Sequence, residues 1–306
     1  MAVAIGIDLG GTELRAAVVS ADGQVLAHAR TPTAATEGPA AIIEQMAELV
    51  ERISPGHAVR GVGIGSPGPL DAAAGIVVHA PMLRGWDNVP LAELAAARLG
   101  LPVRIDNDAN VAALAEWRFG AGCGLRHIVY VTVSTGIGGG VIVDGKLMHG
   151  RLTLAGEIGH MVITEAPVVC ACGGLGCWEA LASGSALGLR ATAAAKAAPL
   201  SELGRLGHAT ARDVSRLAEA GDAVALRLLS EEAHYLGIGF VNLLHLYAPE
   251  MIVVGGGVSD CLPVMRPEIE AVIRRRAMPA YRDVPVMAAA LGQRAGVIGA
   301  SLLVRR

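Results

Sequence analysis

AVAIGIDLGGTELRAAVVSADGQVLAHARTPT, residues 2–33, holds three runs of β-forming residues, 3–7, 14–19 and 24–31. They are separated by Asp8-Leu9-Gly10-Gly11-Thr12 and by Asp22-Gly23. Asp-Gly between apolar runs signals a hairpin, so the stretch predicts an antiparallel meander. The first turn also carries chemistry. Gly10 and Gly11 let backbone N–H groups approach a phosphate, Thr12 adds a hydroxyl, and Asp8 at a strand end is placed to bind magnesium directly or through water. A plain hairpin turn accounts equally for the two glycines, but less well for Asp8 and Thr12.

Working outward, residues 128–146, IVYVTVSTGIGGGVIVDGK, repeat the design. A strand, a Thr-Gly-rich turn and a second strand are followed by a hairpin at Asp144-Gly145. The repetition predicts two related halves, each offering a glycine turn to one phosphate chain across a cleft. Between the halves, Ile42, Ile43, Met46, Leu49, Val50 and Ile53 fall at helical spacing and predict an amphipathic helix over 39–53. Strands are expected at 59–65 and 75–79, a helix at 90–99, and a strand at 103–105. That strand runs into Asp106-Asn107-Asp108-Ala109-Asn110 and a helix ending near Phe119. One helix cap explains one of these polar residues, and four exceed what a cap needs. A carboxylate at such a strand end is where a base for a sugar hydroxyl would sit.

The stretch 156–179, GEIGHMVITEAPVVCACGGLGCWE, packs three of the five cysteines beside a histidine and three glutamates, of which Glu157 and Glu179 stand at its two ends. Cys170, Cys172 and Cys177, with glycines that fold the backbone back, can bring three sulfurs to one ion, and His160 completes a tetrahedral Cys₃His zinc set. Buried free thiols are the alternative, but scattered core cysteines do not usually arrive in this spacing. Four protein ligands leave no open position, so such a zinc is structural. Beyond it, helices are expected at 179–198, 211–220 and 223–247. A strand at 250–254 runs into Gly255-Gly256-Gly257 and a helix, and a strand at 284–288 and a helix at 294–304 close the chain.

Composition bounds the partners. The 306 residues are 53% hydrophobic but only 3% aromatic, which implies an aliphatic core. A formal charge of −3 argues against a protein built to grip nucleic acid through its phosphates. Gly, Pro and charged residues interrupt each apolar run short of a membrane span, and no secretory pattern precedes Asp8, so a cytoplasmic location is expected.

Taken together, Asp8-Leu9-Gly10-Gly11-Thr12, Asn107-Asp108-Ala109-Asn110, Ser134-Thr135-Gly136-Ile137-Gly138-Gly139-Gly140, Gly156-Glu157-Ile158-Gly159-His160 and the Cys-x-Cys-Gly-x-x-Gly-Cys-x-Glu run resemble the ROK family (repressor, open reading frame, kinase). The resemblance covers essentially the whole chain. It implies an α/β, two-domain actin-like ATPase fold, ribonuclease H-like, with a cleft between the domains. The smaller domain would be 1–116, rejoined by a C-terminal helix at 294–306, and the larger 117–293, carrying the zinc loop. By resemblance Asp108 is the catalytic base, and Asn107, Glu157, His160 and Glu179 hold sugar hydroxyls. His160 then has one ring nitrogen for the metal and the other for the sugar. Gly10, Gly11, Thr12, Thr135 and Gly136 match phosphate turns, and Gly256 lies in the turn against adenosine.

The activity implied is ATP- and magnesium-dependent phosphorylation of glucose at the 6-hydroxyl, in a homo-oligomer, dimer or tetramer. Kinases for N-acetylglucosamine, N-acetylmannosamine or fructose remain alternatives. So, with less support, does a sugar-responsive repressor, which would carry a helix-turn-helix domain for which Asp8 comes too early. Pro81-Met82-Leu83 departs from the Pro-Asn-Leu common in relatives.

Overall fold

The computed structural model describes residues 3–305. The chain opens with β1 (Val3–Leu9), β2 (Glu13–Val19), β3 (Val25–Pro32), α1 (Pro39–Ile53) and β4 (Val59–Ser66). Then come β5 (Leu70–Asp71), β6 (Ile76–His79), β7 (Asp87–Val89), α2 (Leu91–Leu99), β8 (Val103–Asn107) and α3 (Asp108–Phe119). The second half contains β9 (Ile128–Val133), β10 (Ile137–Val143), β11 (Lys146–Leu147), α4 (Trp178–Ala182), α5 (Gly184–Ala197), α6 (Glu202–Arg205), α7 (Ala211–Glu219) and α8 (Ala223–Tyr247). It ends with β12 (Met251–Gly255), α9 (Leu262–Arg276), β13 (Val286–Ala288) and α10 (Ala295–Leu302).

The repeat expected from residues 2–33 and 128–146 is visible in the topology. One five-stranded sheet has the order β3-β2-β1-β4-β8 and the other β11-β10-β9-β12-β13. In each, a meander supplies three strands and two parallel strands follow on the far side of the first. A three-stranded β5-β6-β7 sheet is a local addition.

Contacts divide the chain into two compact units, 1–125 with 140–156 and 290–306, and 126–139 with 157–289. The first unit thus extends to Leu125, takes in 140–156 and returns at Ala290. Glu116 itself pins this region. Fully buried, its carboxylate accepts from Ala121 N (2.9 Å), Ala290 N (3.0 Å) and Leu291 N (2.8 Å).

In the first unit, Ile5, Ile7, Leu9, Leu14, Ile42, Met46, Ile64 and Trp86 belong to one buried, mainly aliphatic core between sheet and helices. Burying each such side chain stabilises the fold by about 1.5–3 kcal/mol. The return helix α10 packs on β1, β4 and α3. Glycine permits that approach. A Cβ on Gly6 or Gly63 would lie 1.8 Å from Val297 O or Ala300 O, and one on Gly299 would lie 1.6 Å from Val111 O.

In the second unit, Trp178 is fully buried, packs edge-on against Phe240 with centroids 5.7 Å apart, and donates from Nε1 to Tyr235 O (3.0 Å). Gly239 makes room for its ring. The continuous helix expected at 179–198 is a correction: Ser183 breaks it into α4 and α5. Its extended backbone (φ −85°, ψ 162°) and its hydroxyl, accepting from Ala186 N, make it the N-cap of α5. Apolar periodicity does not register a cap inside an alanine-rich run.

Candidate functional site

In the first unit the site residues gather at the carboxyl ends of parallel strands, where α/β sheets place ligands. Register pairs Asp8 on β1 with Gly65 on β4, and Gly65 and Ser66 with Asp106 and Asn107 on β8. Two strand spacings separate Asp8 from Asp106, roughly 10 Å. Gly65 between them has no side chain to intervene.

Asp8 is 3.7 Å from Arg15 Nη1. Burial pushes its carboxyl above the usual carboxylate range, and Arg15 opposes the shift. A Cβ on Gly296, in the first turn of α10, would fall 2.7 Å from the Asp8 carboxyl carbon, so the carboxylate lies beside a helix N-terminus. The Gly10-to-Glu13 turn is closed by Gly10 N donating to Glu13 O (3.1 Å), and Thr33 Oγ1 donates to Gly10 O (2.7 Å). Thr12 is exposed. Met82 lies over this turn, its sulfur 2.9 Å from where a Gly11 Cβ would be. Sequence reasoning saw Met82 only as a departure from pattern.

Asn107 and Asp108 sit where β8 becomes α3. Asn107 Oδ1 caps the helix, accepting from Ala109 N (2.9 Å) and Asn110 N (3.4 Å). Its amide nitrogen is the group left to donate to a ligand. Asp108, exposed at the first helical position, accepts from Ala109 N (2.8 Å). Asp106 is buried beneath them; it was read in the polar run without a role of its own.

In the second unit the sites converge on Ile137, the first residue of β10. Ile137 N donates to Glu179 Oε2 (2.9 Å), and a Cβ on Gly159 would be 2.2 Å from Ile137 O. The Glu157-to-His160 turn therefore lies directly on the strand start. One Glu179 oxygen holds the Thr135-Gly136 turn, a task the sequence did not reveal; the other lies 3.9 Å from Cys170 Sγ. Gly184 N donates to Ser134 O (2.7 Å). At the neighbouring strand end, Gly256 (φ 82°) stands where a Cβ would be 2.3 Å from Val133 O. Thr135, Gly136 and Gly256 thus share one end of the sheet.

The donor atoms of His160, Cys170, Cys172 and Cys177 lie within 4.8 Å of one another. Cys172 Sγ is 3.8 Å from Cys177 Sγ, and Cys170 Sγ is 3.7 Å from His160 Nδ1. Zinc–sulfur bonds of about 2.3 Å in a tetrahedron give edges of roughly 3.8 Å, so the donors fit such an ion. Burial and the neighbouring thiols push Cys177 up to about 12, burial raises Cys170, and the Gly174 N–H lowers Cys172. With Nδ1 toward the sulfurs, His160 Nε2 faces Glu157 Oε2 at 3.9 Å. Cys177, Trp178 and Glu179 in succession serve the donor cluster, the core and the turn.

Two sheets of one topology, with glycine turns at matched strand ends and an acid at the end of β8, define an α/β protein of the actin-like ATPase fold. The chain belongs to the ROK family, whose model matches residues 4–306. It is 38% identical over 314 residues to the glucokinase of Streptomyces coelicolor, spanning 100% of this chain and 98% of that one. It is 35% identical to the N-acetylmannosamine kinase of Escherichia coli O157:H7, over 98% of this chain and 97% of that one. Among solved structures, a ROK family glucokinase from Streptomyces griseus in complex with glucose and AMPPNP superposes with a TM-score of 0.87, at 37% identity and 99% coverage of both chains.

Proposed function

We propose that this chain is an ATP-dependent glucokinase that transfers the γ-phosphoryl group to the 6-hydroxyl of glucose. The observation that carries the reading is the β8–α3 junction, which presents an exposed Asp108 beside the helix-capping Asn107 at the carboxyl end of the sheet. Full-length likeness to glucokinases supports it.

In this reading Asp108 takes the proton of the 6-hydroxyl as that oxygen attacks the γ-phosphorus. The new O–P bond forms, the bond to the β-phosphate bridging oxygen breaks, and ADP leaves. Asn107 donates from its amide to a sugar hydroxyl. Glu157, His160 Nε2 and the remaining oxygen of Glu179 take others, and a sugar lacking a hydroxyl leaves these groups unpaired. Gly10, Gly11, Thr12, Thr135 and Gly136 approach the phosphates, and Gly256 the adenosine. Asp8 is the residue proposed for the magnesium of Mg·ATP, which neutralises charge on the transferred group. His160, Cys170, Cys172 and Cys177 are proposed to hold a structural zinc that fixes the Glu157–His160 turn.

Exposed Val162, Val169, Leu175 and Leu246 in the second unit support a homo-oligomer. No helix among the described residues is long and apolar enough to cross a membrane, and a cytoplasmic location is proposed. The N-acetylmannosamine kinase relative favours a second reading, a 2-acetamido hexose as substrate. A coupled assay across hexoses and 2-acetamido hexoses with Mg·ATP decides. Glucose should show the highest kcat/KM; a higher value for a 2-acetamido sugar selects the second reading, and no turnover with any hexose rejects both.

A further inference from the structure

Residues 149–155 form a strap between β11 and Gly156-Glu157. It closes on itself through Ala155 N donating to His149 O (3.0 Å) and Leu154 N to Arg151 O (3.1 Å). Inside it, Leu152 and Thr153 occupy the left-handed region at φ 52° and 57°. Non-glycine residues there cost about 1–3 kcal/mol each and persist only where the surroundings over-determine them. Two side-chain bonds supply that constraint. Thr153 Oγ1 accepts from Ala72 N (3.0 Å), and His149 Nε2 meets Asp106 Oδ2 at 2.7 Å.

Asp106 is 3% exposed, and its other oxygen accepts from Asn107 N (2.8 Å) and Asn110 Nδ2 (2.9 Å). An ionised carboxylate only accepts, so the imidazole nitrogen facing it carries the proton. One buried carboxylate therefore holds the main chain of Asn107 on one side and the imidazole of the strap on the other.

We propose that His149 is a positioning residue for the hexose. Through Asp106 it fixes the strap, the segment that precedes Glu157 in the chain, to the strand end that carries Asn107 and Asp108. The inference rests on the reading of Asn107, Asp108 and Glu157 as sugar-handling residues. It assigns His149 an effect on sugar affinity but not on the phosphoryl step, because Asp108 keeps its place through the Asn107 cap whether or not the strap is anchored.

The test is steady-state kinetics of His149→Leu and His149→Gln beside wild type, varying hexose and ATP separately. Leu removes the donor; Gln returns an amide N–H at about the same reach. Loss of a hydrogen bond to a charged group should raise the hexose KM of His149→Leu roughly ten- to hundredfold. Its kcat and ATP KM should stay near wild type, and His149→Gln should recover most of the hexose affinity. Should His149→Leu not fold, Thr153→Val, which removes the strap's other anchor, takes its place with the same split expected. Unchanged hexose KM, equal defects in the Leu and Gln variants, or a joint fall in kcat and rise in both KM values overturns the proposal. Wild type inactive on every hexose overturns the underlying reading instead.

Discussion

The two five-stranded sheets share a strand order and differ in what hangs from it. In the first, the fifth strand, β8, runs into Asp106-Asn107-Asp108 and a capped helix. In the second, the matching strand, β13, ends at Ala288 and continues through Ala289 and Ala290 with no acid. The second half instead spends its length between β11 and β12, where the cysteine loop and α4 to α8 are inserted. One topology thus yields two tools. The first sheet presents an exposed carboxylate, proposed as the proton acceptor, and the second presents a glycine turn braced by Glu179 and a loop that gathers three cysteines and a histidine.

The contrast is broken most directly at Asp108. Asp108→Asn should bind glucose while kcat falls by roughly 10²–10⁴, the usual contribution of a general base. Calorimetric titration of glucose alongside the coupled assay checks both halves of that statement, and near-normal turnover removes Asp108 as the base. Cys172→Ser probes the other sheet and should do the reverse of a base mutant. Zinc content by metal analysis should fall and glucose KM should rise roughly tenfold or more, as removing support from a metal-held group generally does. Normal glucose affinity in zinc-free protein would uncouple metal from sugar and leave the cysteines a stability role alone.

Glycines sharpen the comparison at a smaller scale. Gly6→Ala sets a Cβ against Val297 O beneath α10, an overpacking that should cost about 1–3 kcal/mol in urea unfolding with KM values little changed. Gly256→Ala meets both a positive φ and Val133 O, at a turn proposed to face adenosine, so it should raise ATP KM as well. Equal kinetic effects of the two substitutions would remove the adenosine assignment.

Much of this arrangement was legible before the structure. Apolar spacing located α1 and α8 to the residue, and the two Gly-rich hairpins announced the duplicated topology. What stayed hidden depends on partners far apart in the chain or on backbone geometry. His149 meets Asp106 across 43 positions, and Glu179 meets Ile137 N across 42. Glu179 in particular was read for its carboxylate alone, while half of it is engaged in holding a turn. The glycines that admit α10 look, in sequence, like ordinary interruptions of strands, because close approach is a property of the neighbour.

The smallest effect tests the rigidity of the second half. Glu232 on α8 is fully buried and pairs with Arg190 on α5, which also donates to Leu181 O at the end of α4. Burial outweighs Arg190 and raises Glu232 from 4.5 to about 7. A carboxyl raised in the folded state binds its proton more tightly there than in the unfolded chain. Its contribution to stability is therefore complete below pH 4.5 and is lost as pH rises through about 7. Wild-type unfolding free energy should decline across that window, with this group contributing no more than about 1.4 kcal/mol per pH unit. Glu232→Gln cannot ionise, so its stability profile should lack that decline. Parallel profiles for the two proteins would mean that Arg190 keeps Glu232 charged throughout, and that the clamp behind α4 is a permanent ion pair.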